Sequence, residues 1–383
     1  MRYLKILSAF IIINISFTAF SQNTDTLSWM QRVKKNRAIK EKEGRLLLTP
    51  LVGPAYTPEL QFTLAGGFMM SYKTNRFDSL IQRSSSPIMI GISSTGAFFV
   101  NSKLTSFWLQ DKLRIYGDFV YKDMPDNYWG VGYDKALNTP KSDTTTAYRR
   151  EWWQINPKFM WQFKKNNFLG LNIDLNYTHG TDACKGVSED EYYKEFNDKP
   201  FNSGLGLVYQ FDSRDIPVNA WSGWFAEINA TIYNTKLGGD NDYMLLSLDY
   251  RGYWQIKREG SILALQVKAR LTTGDVPYGE MSQLGTPFDL RGYTWGHYRH
   301  ESMFFILPEY RYTFKKGKGL SKHGMVVWTG VGTLGEKVNE FKSWLPNAGI
   351  GYRYEVQPRM NVRFDIGIGK ESVGFYFNFN EAF

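Results

Sequence analysis

The chain has 383 residues, a formal net charge of +9, 16% aromatic residues and one cysteine, Cys184. A single thiol excludes an internal disulfide, and beyond the N-terminus no stretch approaches the about 20 consecutive apolar residues of a membrane helix. Mean hydropathy is negative although Tyr, Trp and Phe abound, as expected where alternate strand residues face lipid and aromatics ring both interfaces.

Residues 1–21 read as a secretory signal peptide. Arg2 and Lys5 precede an apolar run over 6–20, and Ala19 and Ser21 suit cleavage before Gln22. Cys184 lies far from that site, so a lipid-modified N-terminus is not indicated and the thiol reads as an incidental loop residue. Cleavage removes two basic residues and no acid, lowering the +9 of the whole chain by two. A secreted basic chain is expected to meet anionic lipid or acidic partners, not nucleic acid.

Residues 22–45 form a short basic periplasmic leader, either an amphipathic helix or a solvated tail. The leader is too short for a folded periplasmic domain, which takes about 50 residues. Over 46–383 the apolar period becomes two. Near the end, Val362, Phe364, Ile366 and Ile368 alternate with Asn361, Arg363, Asp365 and Gly367; Val373, Phe375, Phe377 and Phe379 then alternate with Gly374, Tyr376, Asn378 and Asn380. Such segments are strands with one apolar and one polar face. The same alternation predicts strands near 46–53, 58–73, 86–96, 98–109, 112–123, 147–163, 166–179 and 201–212. Others fall near 222–236, 242–257, 261–273, 302–315, 324–334, 344–356, 359–369 and 372–380. Sixteen strands, several exceeding the about 9–11 residues that cross a bilayer, predict an all-β fold: an antiparallel transmembrane β-barrel. Short links at 164–167 and 258–260 suit periplasmic turns, and long ones at 124–146, 180–200 and 274–301 suit the cell surface.

The sixth surface loop contains Leu284-Gly-Thr-Pro-Phe-Asp-Leu-Arg-Gly-Tyr-Thr-Trp-Gly-His297. Here the chain resembles the BamA/TamA family of outer-membrane barrels, the bacterial surface antigens, whose sixth loop carries a hydrophobic-Arg-Gly-aromatic motif. Leu290, Arg291, Gly292 and Tyr293 match it in sequence and position. The resemblance implies a loop folded into the lumen. An arginine there needs carboxylates, because an unpaired buried charge is costly. The expected partners are Glu309 on the twelfth strand and Asp365 on the fifteenth, both on the polar parity. Asp212-Ser-Arg-Asp215 with Gly223 resembles the family's aspartate-rich turn, and Tyr128-Trp-Gly-Val-Gly132 a recurring loop after the fifth strand. Pro50 to Pro58 resembles the first hairpin, and Phe375, Phe377, Phe379 and Phe383 resemble a C-terminal targeting strand in one register.

Two departures qualify the resemblance. The family's thirteenth strand carries aromatic-x-Asp-x-Gly, whereas this chain has Trp328-Thr-Gly-Val-Gly332; Gly330 replaces the acid, so Arg291 is expected to have fewer partners. A member lacking the client-receiving POTRA domains is also expected. The family implies protein or lipid insertion or transport at the outer membrane, through a seam between the first and last strands. The alternatives are a plugged accessory or scaffold subunit, with Asp182, Glu189, Asp190 and Glu191 on a partner-binding loop, and a passive channel. Outer-membrane lipid and other assembly or secretion components are the expected partners. No cofactor or metal is expected. Catalysis is not expected either, since His179, His297, His300 and His323 sit in no nucleophile pattern and His297/His300 lack further spaced ligands.

Overall fold

The computed structural model describes residues 28–78, 81–317, 319–357, 359–370 and 372–383; the expected signal peptide lies outside them. The chain divides into two units between Glu43 and Gly44. In the first, residues Trp29–Lys42 form a helix, α1, so this part of the leader is helical and not an unstructured tail. Its start is fixed by a capping box: Ser28 Oγ accepts from Gln31 N–H, and Gln31 Oε1 accepts from Ser28 N–H at 2.8 Å. Lys40 and Lys42 in the last turn complement the helix dipole.

The second unit is a closed barrel of sixteen antiparallel strands in sequential order. These are β1 Leu47–Thr57, β2 Gln61–Tyr72, β3 Ser84–Ser93, β4 Phe98–Trp108, β5 Leu113–Asn127 and β6 Ala147–Lys164. Next come β7 Asn167–Thr181, β8 Phe201–Asp212, β9 Gly223–Tyr233, β10 Tyr243–Gln255 and β11 Ser261–Gly274. The last five are β12 Ser302–Lys316, β13 Gly319–Gly335, β14 Trp344–Gln357, β15 Met360–Ile368 and β16 Val373–Phe379.

Each predicted strand is present, and the largest differences are at hairpin ends. β1 runs through Gly53-Pro54 to Thr57, because both its prolines sit on an edge-like strand that tolerates a missing N–H. β13 starts at Gly319, five residues before the predicted 324, since a bulge at Thr313/Lys315 lets the β12–β13 ladder continue to Lys316↔Gly319.

The outer face carries alternating exposed apolar side chains, such as Ile88, Ile90 and Ile92 on β3, Leu169, Leu171 and Ile173 on β7, and Phe364, Ile366 and Ile368 on β15. An apolar belt of that extent marks a lipid-facing surface. The inner face carries Asn172, Asp174, Asn176, Gln210, Asn229 and Gln266, all buried. Among the described residues no helix is long and apolar enough to cross a membrane; the chain crosses with strands. Among the described residues of this unit the α-helices lie in the surface loops, α2 (Tyr133–Asn138) in the third and α3 (Lys185–Ser188) and α4 (Glu191–Asn197) in the fourth. The sixth loop, 275–301, holds a two-residue ladder between Ser282–Gln283 and Arg299–His300.

Candidate functional site

The tip of the sixth loop is organised by Asp289, whose carboxylate accepts from the Gly285, Thr286 and Leu290 amides and from Thr286 Oγ1. This tight turn presents Leu290 and Arg291, both fully buried, to the inward faces of β12–β16. Arg291 pairs with Asp365 of β15 at 2.7 Å and with Glu309 of β12. Its guanidinium stacks on the Trp328 ring of β13, 3.6 Å from the centroid. Stacking one face while carboxylates take the edge uses the planar fork as a lysine could not.

The network extends beyond the residues expected from sequence. Asp365 also binds Arg353 at 2.5 Å and Arg363 at 3.2 Å, Glu309 binds Arg311 at 3.1 Å, and Arg353 binds Glu381 at 2.8 Å. Arg353 and Arg363 were legible only as charges on the inward parity of strands beside the expected partners, whereas Glu381 falls on the apolar parity past the end of β16 and is brought inward by the turn at Asn380. Gly330 leaves Arg291 without an acid from β13, but the space is not empty. A Cβ at Gly330 would lie 2.6 Å from Asn347 Oδ1, and Asn347 Nδ2 donates to the Arg291 carbonyl at 3.1 Å. An asparagine from β14 therefore braces the loop backbone from that side.

Gly292 has φ +118°, and a Cβ there would meet the Gly369 nitrogen at 2.5 Å and the Ile368 carbonyl carbon at 2.6 Å. Its N–H donates to Tyr376 Oη on β16 at 3.0 Å, and its carbonyl accepts from Ser372 Oγ. Tyr293 donates to the Pro346 carbonyl at 2.6 Å and accepts from the Lys370 amide at 2.9 Å. Gly332 closes the fit on β13, where a Cβ would press on Leu290 at 2.6 Å.

Other loops support this one from the surface side. Trp295 N–H donates to Glu59 at 2.8 Å, His297 bonds the Ala136 carbonyl at 3.1 Å, and the Gly132 amide donates to the Arg299 carbonyl at 3.0 Å. Tyr128, Tyr148, Tyr193 and Tyr278 knit the third, fourth and sixth loops together. Asp190 is not a solvated partner-binding acid: it is buried, caps α4 at Tyr193 N–H and bonds Tyr128 Oη at 3.0 Å. Burial works against its charge, yet contact with Lys135, the Tyr193 amide and Tyr128 holds its carboxyl below the usual range. Asp182, Glu189 and Glu191 stay exposed.

The four histidines lie apart in role. His297 stacks with Tyr298 and Trp129, His300 bonds the Glu301 amide, His179 sits by Tyr177, and His323 contacts Tyr352 on the outer face. Among the described residues no His/Cys/Asp/Glu group could hold a metal. Cys184 caps the start of α3 without a side-chain bond.

At the seam, β1 and β16 share one registered pair, Tyr56↔Phe377, whereas β1 and β2 pair continuously from Leu47↔Ser71 to Thr57↔Gln61. Extending the antiparallel register puts Gly53 opposite Asn380, one residue past the end of β16. Asn380 takes φ +64° and turns the chain inward, so Phe383 is not in register with Phe375, Phe377 and Phe379. It is buried at 6% exposure against Arg311, with the ring 4.9 Å from that guanidinium, while Phe375 and Phe379 remain on the outer face. The buried charge of Glu381 pulls the tail onto Arg353, which overrides the two-residue period.

A barrel with an apolar outer belt and an arginine loop pinned against its inner wall defines a class of membrane-spanning barrels. The sequence profile of the Omp85 superfamily domain matches residues 95–383, and the chain belongs to that superfamily of outer-membrane barrels. No curated protein matches it significantly. Among solved structures it is similar to BamA from Haemophilus ducreyi lacking POTRA domains 1–3, with TM-score 0.59 and 13% identity, covering 93% of this chain and 79% of that one. It is also similar to CdiB from Acinetobacter baumannii (TM-score 0.54, 10% identity, 94% and 69% covered) and CdiB from Escherichia coli (0.56, 10%, 87% and 62%). At these identities the likeness is one of fold.

Proposed function

We propose that this barrel assists insertion or transport of protein, or lipid, at the outer membrane by opening between β1 and β16. The observation that carries the reading is the short seam: below Gly53, β1 projects past the end of β16 with no strand opposite it. An unpaired edge is a template for another strand. The periplasmic half of β1 offers that edge at the end from which a secreted client arrives. Pro50 and Pro54 lack N–H groups, which weakens pairing on β1 further. The opposite lip is firm, because Arg291 and Gly292 tie β15 and β16 to the sixth loop. Opening would move β1 while β16 stays clamped. The resemblance to BamA and CdiB in fold supports the same reading. In this reading the barrel is no enzyme, and assembly or secretion components of the outer membrane are its partners.

The test is photocrosslinking in cells from Val52 on β1, with Leu207 on the opposite wall as control, both exposed on the outer face. Proteins should crosslink to Val52 and not to Leu207. A disulfide between Tyr56→Cys and Phe377→Cys, in a Cys184→Ser background, should abolish those crosslinks. Equal patterns from Val52 and Leu207, or crosslinks that survive the lock, would overturn the proposal. Affinity capture from native membranes then identifies the partners.

A further inference from the structure

Between the sixth loop and the inner wall formed by β6, β7 and β10–β12 lies a cavity of about 380 Å³, within the range of small-molecule sites. Its walls have two characters. Trp152, Trp295, Met281 and Met303 supply apolar surface, and Arg150, Lys268 and Arg270 supply positive charge.

The negative charge facing them is smaller and partly engaged. Asp174 already accepts from Gln154 at 2.9 Å and from Tyr233 at 2.7 Å, Glu280 stands 3.7 Å from Arg270, and Asp126, outside the lining, stands 3.7 Å from Arg150. Lys268 makes no ion pair among the described residues. Lys122, just behind the wall, makes none either; its ammonium lies 4.9 Å from the Trp152 ring and 5.0 Å from the Trp295 ring. Two donors on the same wall, Arg150 Nε and Trp152 Nε1, are buried without an acceptor. Buried donors and surplus cations are costly unless something satisfies them.

We infer that this cavity is a binding site for a small amphiphilic anion, with a phosphate or carboxylate head held by Arg150, Lys268 and Arg270 and an apolar body against Trp152, Trp295 and the methionines. Both phosphate and carboxylate supply the acceptors these donors lack, and guanidinium groups favour them by bidentate geometry. The head belongs either to a soluble molecule or to a lipid that enters from the membrane. Residues 279–283 and Trp295 form one wall, so an occupant touches the sixth loop directly. Glu280 in that loop is pushed up to about 7 by burial, with Arg270 opposing and Asp174 reinforcing, which trims the negative charge of the lining near neutral pH. This inference goes beyond the seam reading and stands or falls separately from it.

The test uses the full chain in zwitterionic lipid nanodiscs, with ¹⁹F NMR titration of 4-fluorobenzyl phosphate, 4-fluorobenzyl alcohol and 4-fluorobenzyltrimethylammonium. The phosphate should bind at least tenfold more tightly than the alcohol, and the ammonium should not bind. The K122Q/K268Q variant, checked for folding by heat-modifiable gel migration, should weaken the phosphate at least tenfold. Should that pair not fold, K268Q alone should weaken it at least threefold. Native mass spectrometry from discs containing dioleoyl phosphatidate separates the sources. One lipid retained per barrel assigns the head to lipid, and no retention with the probe still bound assigns it to a soluble molecule. Equal affinity for phosphate and alcohol, or a folded variant that binds as the parent does, would overturn the proposal.

Discussion

Arg291 sits where no water can replace a lost partner. Its side chain and those of Glu309 and Asp365 are all 0% exposed. A buried pair of this kind need not stabilise more than apolar residues would, but removing one member strands the other charge at a cost of about 3–5 kcal/mol. Arg291→Ala should therefore lower barrel stability by about that much in urea titrations followed by gel migration. Arg291→Lys should recover only part of it, because a lysine cannot both stack on Trp328 and bridge two carboxylates. If Arg291→Ala unfolds at the parent's midpoint, the network is not holding the loop. Gly292→Ala should be as damaging by another route: it puts a Cβ at positive φ against β15 backbone that has no room to move. At this scale the sequence was informative wherever a charge sat on the polar parity of a strand, which is why Glu309 and Asp365 could be paired with Arg291 in advance. It was silent about Asn347 and Tyr376, because neutral polar residues on an inner wall give no sign of which loop they will meet.

Strands were readable because a lipid face and a wet face impose a period of two, and only their ends escaped. The ends depend on partner strands and on bulges, as β13 shows by running to Gly319 opposite Lys316. Phe383 escaped for a related reason: the period continues on paper, but a single turn at Asn380 gives the tail a charged anchor instead of a lipid face. The surface loops obey a different control, and pH reaches one of them. Burial, with repulsion from Glu336 and Glu340 against the pull of Lys337, raises the Glu301 carboxyl from 4.5 to about 7. The native state then holds this proton more tightly than the unfolded chain does. Stability from this group is fully present below about pH 4.5 and is lost as pH rises through 7. His300 next to it is held below its ordinary value, first by burial, against the opposing pull of Glu336 and Glu340. Amide exchange at 299–303, corrected for intrinsic rates, should accelerate between pH 5 and 8, and Glu301→Gln should flatten the dependence. A slope unchanged in that variant would assign it to another group.

Loops bridge the barrel at both ends, and the two bridges differ in kind. At the surface the sixth loop is held by fully buried ion pairs and braced by the third and fourth loops. At the periplasmic end the 213–222 turn reaches the β14–β15 turn, where Arg359 pairs with Asp215 at 3.1 Å and stacks 3.4 Å from the Trp221 ring. These two side chains are 20% and 30% exposed. A partly exposed pair contributes about 0–1 kcal/mol, several-fold less than the buried one. The molecule is therefore held more firmly at its sixth-loop end than at the opposite one, an asymmetry that fits the proposed intake of clients from the periplasm. Planar-bilayer recordings should find the parent nearly non-conducting. Arg359→Ala should leave stability within about 1 kcal/mol of the parent and conductance close to it. Replacing 284–296 by a glycine-serine linker, in protein shown to be folded, should raise conductance at least tenfold. A pore opened by Arg359→Ala alone would reverse the assignment and make the periplasmic turn the seal.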